Sequence, residues 1–189
     1  MKLDKTFTTR KIVMTGLLAA LTAVGSALRI TMPLTIAGTT SFHLGNIMCA
    51  LSGILLGPWL GGLAAGLGSA IYDMFNPLYI SECWMTFLMK GAYGLAAGLV
   101  IHLIKKDWGY IAATAAALTG ALSYACLYLA KSYFYGGRLL AGLSSESAWL
   151  VVLDKIPATV FNGAVAVIFA PVLAVAIRSA LKKNRLYPI

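Results

Sequence analysis

The sequence predicts an all-α, polytopic membrane protein with six transmembrane helices and both termini cytoplasmic. Three observations carry that prediction. First, 60% of the 189 residues are hydrophobic and only 11% are charged, against about a quarter charged in an average soluble domain. Second, no Asp, Glu, Lys or Arg occurs between Lys11 and Arg29, from Ile30 to Tyr72, from Trp108 to Ala130, or from Ile156 to Ile177. Third, the basic residues cluster at alternate ends of these apolar stretches. The net charge of +9 does not signal a nucleic-acid partner, because a mean hydropathy of +0.84 leaves too little polar surface for a basic face.

A spanning helix needs about 20 mostly apolar residues, so the charge-free stretch from Ile30 to Tyr72 is too long for one pass. Pro33 within a polar opening from Thr31 to Ser41, and the Gly57-Pro58 pair, both interrupt helices. The chain therefore reads as one domain, 1–189, with helices at about 10–30, 42–57, 59–76, 84–105, 108–134 and 148–181. The second is short for a span. The first is too long for a cleaved signal and lacks an A-x-A site behind it. With an even helix count, Lys2, Lys5, Arg10, Lys11, Lys105, Lys106, Arg178, Lys182, Lys183 and Arg185 share one face with only Asp4 and Asp107. Basic residues stay inside, which makes both termini cytoplasmic. Trp59, Trp84, Trp108 and Trp149 each fall at the start of a predicted helix, where amphipathic rings anchor at the membrane interface.

Catalytic apparatus is missing from the pattern. Cys49, Cys83 and Cys126 are scattered, and His43 and His102 are isolated, so neither a metal site nor a disulfide is expected. The chain holds no G-x-x-x-x-G-K-[ST], H-E-x-x-H or G-x-S-x-G motif, and no cofactor is implied.

Charges inside a bilayer cost about 2.5–3.5 kcal/mol each on insertion scales, so each needs a cavity, a partner or a function. Arg29, Asp73, Glu82, Lys90, Lys131, Arg138, Glu146, Asp154 and Lys155 all fall in outer loops or the outer halves of helices. That asymmetry describes an outward-opening polar cavity above an apolar plug. On the fifth helix Tyr124, Tyr128, Lys131 and Tyr135 are spaced i, i+4, i+7, i+11 and share one face. Phenols and an ammonium on one stripe suit a flat heteroaromatic ligand. The alternative is that the tyrosines anchor at the interface while Lys131 snorkels outward. Lys90 and Tyr93 on the fourth helix join the candidate wall. So do Asp154, Lys155 and Asn162 on the sixth, where Asp154 can pair with Lys90 or Lys131. Asp73 and Asn76 stand with Tyr79 and Glu82 in a polar loop at the mouth, and the 31–41 loop is positioned as a lid.

Ala19, Ala23 and Ala27 recur every four residues on the first helix. The third helix carries Gly61, Gly62, Ala65, Gly66, Ser69 and Ala70, and its GLAAGL segment recurs from Gly94 to Leu99. Small residues at this spacing let helices approach closely in lipid. The first-helix alanines are the better candidates for a partner surface, since the candidate ligand charges lie mostly on later helices.

Six short helices, the AxxxA stripe and an outer cavity together resemble the substrate-binding S component of an energy-coupling factor (ECF) vitamin transporter. The stretch from His43 to Leu99, with its G-P turn, Asp73 after the third helix and the Lys90-Gly91 pair, is similar to the riboflavin and pyridoxine/hydroxymethylpyrimidine types. The resemblance implies high-affinity capture of a vitamin or precursor from outside a prokaryotic cell. It further implies docking through Ala19, Ala23 and Ala27 onto a transmembrane coupling subunit with two ATPase subunits, and delivery by toppling within the plasma membrane. Catalysis would then belong to the partners. A pyridoxine-like or thiamine-pyrimidine-like ring comes first among substrates, riboflavin second. A rival expectation is a stand-alone secondary carrier or channel, which would transport a small solute without partners.

Overall fold

The computed structural model describes residues 9–33, 39–104 and 108–184. Lys2, Asp4, Lys5, Lys105, Lys106, Asp107 and Arg185, part of the orientation signal, lie outside the described residues, as does the centre of the 31–41 loop. Among these residues six α-helices run α1 (Thr9–Ala27), α2 (Gly45–Leu56), α3 (Pro58–Met74), α4 (Cys83–Ile104), α5 (Tyr110–Lys131) and α6 (Ser145–Lys183). Among the described residues, four helical stretches are long and apolar enough to cross a membrane: Thr9–Ala27, Ile80–Ile104, Tyr110–Leu140 and Ser145–Lys183.

The short second helix has a structural reason. At 1.5 Å per residue, the 12 residues of α2 reach only ~18 Å, well short of a bilayer core. It sits instead in the middle of the bundle, with Cys49 and Ala50 fully buried and α1, α3, α4, α5 and α6 all packed around it. Gly57, at φ +79°, turns the chain directly into α3, whose first residue is Pro58; a left-handed φ favours glycine and a first-turn proline loses no hydrogen bond.

The small-residue faces hold the centre together. A Cβ on Gly53 of α2 would lie 2.3 Å from the carbonyl oxygen of Gly94, and one on Gly94 would lie 2.5 Å from that of Gly61. Three helices thus meet backbone to backbone, the close approach that glycine permits in lipid. The two GLAAGL segments lie on facing helices, α3 and α4.

The all-α membrane class holds with one short addition: Arg29–Pro33 (β1) and Thr39–His43 (β2) pair antiparallel, with Arg29 opposite His43 and Pro33 opposite Thr39. Three expectations need correction. The first helix accordingly stops at Ala27, where residues to 30 were expected. Threonine-rich β2 favours extended backbone, and Pro33 sits at a strand end, where no ladder donor is needed. The fifth helix does not end at 134 but continues as a π-wound segment over Ser132–Leu140, closing with Ala141 N–H on Gly136 C=O at 3.1 Å. Finally, Trp59, Trp84 and Trp149 are exposed, but Trp108 is 5% exposed. Its carbonyl accepts a hydrogen bond from Arg178, whose guanidinium lies 4.3 Å from its ring centroid. Trp108 joins the α5 start to the α6 end rather than anchoring at an interface.

Candidate functional site

At the hairpin end of the bundle a cavity of about 400 Å³ opens among all six helices except α2, a volume in the range of small-molecule sites. Strand β2 forms one side. Asn162 of α6 accepts the His43 backbone N–H at 2.9 Å and donates to the Ser41 carbonyl at 2.7 Å. The side-chain amide thus pairs with β2 as a further strand would. From the other side the Tyr79 hydroxyl lies 3.0 Å from Ser41 Oγ and 3.1 Å from Thr39 Oγ1. The hairpin is clasped between α6 and the loop after α3.

The charged groups of the cavity fall into two sorts. Arg29 reaches Asp73, Nη2 to Oδ1 at 3.8 Å, and its guanidinium lies over the rings of Tyr72 and Tyr79 at 4.2 and 4.8 Å. Lys131 pairs with Glu82. Lys90 and Lys155 form no close ion pair among the described residues; Asp73 acts on Lys90 and Glu82 on Lys155 only at longer range. Lys90, 4% exposed, donates to Asn46 Oδ1 of α2 and stands 3.8 Å from the Tyr124 ring centroid. Lys155 Nζ lies 5.3 Å from the Tyr128 ring. Tyr124 and Tyr128 stack at 5.6 Å with 15° between their planes, so α5 presents a double aromatic wall with an ammonium at each ring.

His43 Nδ1 accepts the Gly45 N–H at 3.2 Å, so that nitrogen carries no proton and the neutral ring braces the strand-to-helix turn.

Of the residues singled out in the sequence, Asp73, Lys90, Tyr124, Tyr128, Lys131, Lys155 and Asn162 line this cavity. Four do not. Tyr93 is fully buried behind Tyr124, ring centroids 6.0 Å apart. Tyr135 leaves the stripe because the i→i+5 winding after Lys131 adds a residue to each turn and shifts the register. Asn76 builds the loop, donating to Tyr72 Oη at 2.9 Å and accepting Leu78 N–H at 3.0 Å. Asp154 is half-buried on a different face of α6 from Lys155, as adjacent helical residues must be. The expected pairing of Asp154 with Lys90 or Lys131 gives way to Asn46 and Glu82. Sequence reasoning placed Arg29 only among the outer charges and missed His43, Asn46 and Ser41 as parts of the site. A lone Asn46 at the start of an apolar helix was the available signal; the hairpin hydrogen bonds to Ser41 left none.

On α1 the small stripe runs obliquely. Ala19 is buried, its carbonyl within 2.2 Å of where a Cβ on Gly68 of α3 would sit; Ala23 is half-buried and Ala27 exposed. Gly16 and Ala20 share the exposed side with Ala27. Ala19 is therefore an internal packing residue, which corrects its assignment to a partner surface.

A family model described as "ECF-type riboflavin transporter, S component" matches residues 6–179. The chain belongs to this family. Among curated relatives, a "UPF0397 protein" of Streptococcus gordonii is 33% identical over 106 residues, covering 56% of this chain and 54% of its own length. An "uncharacterized protein in gap 3'region" of Pyrococcus woesei is 35% identical over 79 residues, covering 42% of this chain and 50% of its own. The chain spans about half the length of these relatives. The match to the S-component family runs from before α1 to near the end of α6, so it takes in every element that lines the cavity.

Proposed function

We propose that this chain is the substrate-binding S component of an ECF-type importer in a prokaryotic plasma membrane. All six helices cross the bilayer, α2 with the hairpin completing its pass, and both termini are cytoplasmic. The cavity then faces outward and takes a water-soluble vitamin or precursor with a heteroaromatic ring. The observation that carries this reading is the cavity itself: stacked Tyr124 and Tyr128, with Arg29, Asp73, Lys90 and Lys155 gathered around them and apolar packing below.

Transport then depends on partners, a transmembrane coupling subunit and two ATPase subunits. The glycine-knit contacts of α2, α3 and α4 suit a body that topples as a unit, since such backbone-to-backbone packing has no room to shear. The exposed side of α1, around Gly16, Ala20 and Ala27, is the surface for the coupling subunit.

Uptake of radiolabelled pyridoxine, thiamine and riboflavin, measured in cells with and without the coupling and ATPase subunits, tests the proposal. Uptake of one of them only in cells holding all the subunits supports it. Ion-gradient-driven uptake by the chain alone in liposomes would make it a secondary carrier.

A further inference from the structure

Resting on the S-component reading, we infer that the cavity selects a ligand bearing an oxyanion, a carboxylate or phosphate, which Lys90 and Lys155 receive.

Four cationic side chains line the cavity, Arg29, Lys90, Lys131 and Lys155, against two carboxylates, Asp73 and Glu82. The difference is +2. Asp73 forms its ion pair with Arg29 and Glu82 with Lys131, so Lys90 and Lys155 are the lining cations without a close ion pair, offset by these carboxylates only at longer range. Neither is a snorkelling surface lysine: the cavity holds both, and Lys90 is among the buried residues of α4. An ammonium has three donors and no acceptor capacity. Lys90 spends one on Asn46 Oδ1 and turns its charge to a ring. For Lys155 the Tyr128 ring is the partner of its ammonium. Ring faces and one amide oxygen compensate a cation far less than a carboxylate does. In surroundings of low dielectric an uncompensated cation is costly. An arriving oxyanion supplies the missing charge and accepts the remaining N–H donors.

The remaining charges of this half of the molecule do not alter the balance. Arg138 donates to the Leu143 carbonyl at 2.8 Å, outside the cavity. Glu146 and Asp154 are also absent from its lining. His43 is neutral. The aromatic wall holds a flat ring, and the two ammonium groups beside it choose among rings of the same shape by their substituent.

Pairs of compounds that share a ring and differ in charge read this directly. The full chain in detergent is titrated with pyridine-3-carboxylate against pyridine-3-carboxamide, and with pyridoxine 5'-phosphate against pyridoxine, at constant ionic strength. Binding is followed by tryptophan fluorescence and by the melting temperature. The expected result is at least tenfold tighter binding of the anionic member of one pair. Which pair responds separates carboxylate from phosphate. Lys155→Gln should abolish the preference and Lys155→Arg retain it, while Lys90→Met, which keeps the side-chain length, tests the buried partner. Equal affinity within both pairs, no response to either anion, or a preference untouched in Lys155→Gln and Lys90→Met would overturn the inference. Lys-dependent anion binding without partner-dependent uptake would sink the importer reading alone. Partner-dependent uptake of a neutral ring would sink the oxyanion alone.

Discussion

Asn162 and His43 are joined by a hydrogen bond that ties the sixth helix to the strand beside the cavity, amide oxygen to backbone N–H at 2.9 Å. The same amide donates to Ser41, so one side chain closes both a donor and an acceptor of β2. Replacing Asn162 by Leu removes both bonds. At about 1 kcal/mol each, with a further penalty for buried groups left unpaired, the loss is roughly 2–4 kcal/mol. Hydrogen exchange at the His43 amide should accelerate and ligand dissociation should quicken at least tenfold. Asn162→Asp, which accepts but cannot donate, should fall between. An unchanged exchange rate at His43 would remove the clasp from the account.

Much of this architecture was legible in the sequence because lipid punishes misplaced charge. The charge-free runs gave the helices, and confinement of Asp73, Lys90, Lys131 and Lys155 to one end gave the cavity. Tyr124, Tyr128 and Lys131 fell on one stripe because α5 is regular up to Lys131. Tyr135 escaped since π winding is set by tertiary packing, such as Gly137 against Ala148, and not by periodicity. The hairpin was hidden for a related reason. Its five-residue strands are held by Asn162 and Tyr79, which are remote in sequence. Trp108 misled because a composition rule cannot see that Arg178 lies beneath it.

Close packing of the central helices sets a second limit. Gly53→Val places a Cβ against the Gly94 carbonyl, with no flexible side chain there to yield. The expected cost is about 1–3 kcal/mol or more, seen as a lower melting temperature in detergent. Gly16→Val, where a Cβ meets nothing within 4 Å, should leave stability within about 0.5 kcal/mol of wild type. Equal effects would show that the two sites do not differ as described.

The first helix separates folding from docking. Ala19→Trp should destabilise the chain, because Ala19 packs against Gly68 inside the bundle. Ala20→Trp and Ala27→Trp should leave melting and ligand binding intact and abolish uptake with the coupling subunits. Pull-down of the coupling subunit by each variant checks this. Retained capture by Ala20→Trp would move the docking surface elsewhere.

Native mass spectrometry of the full chain, purified without added ligand from cells grown in rich medium, tests the central claim most directly. The account predicts one small aromatic molecule held at one per chain without ATP, and its loss from Lys155→Gln. A wild-type chain carrying no small-molecule adduct, or an adduct equally retained by Lys155→Gln, would contradict it.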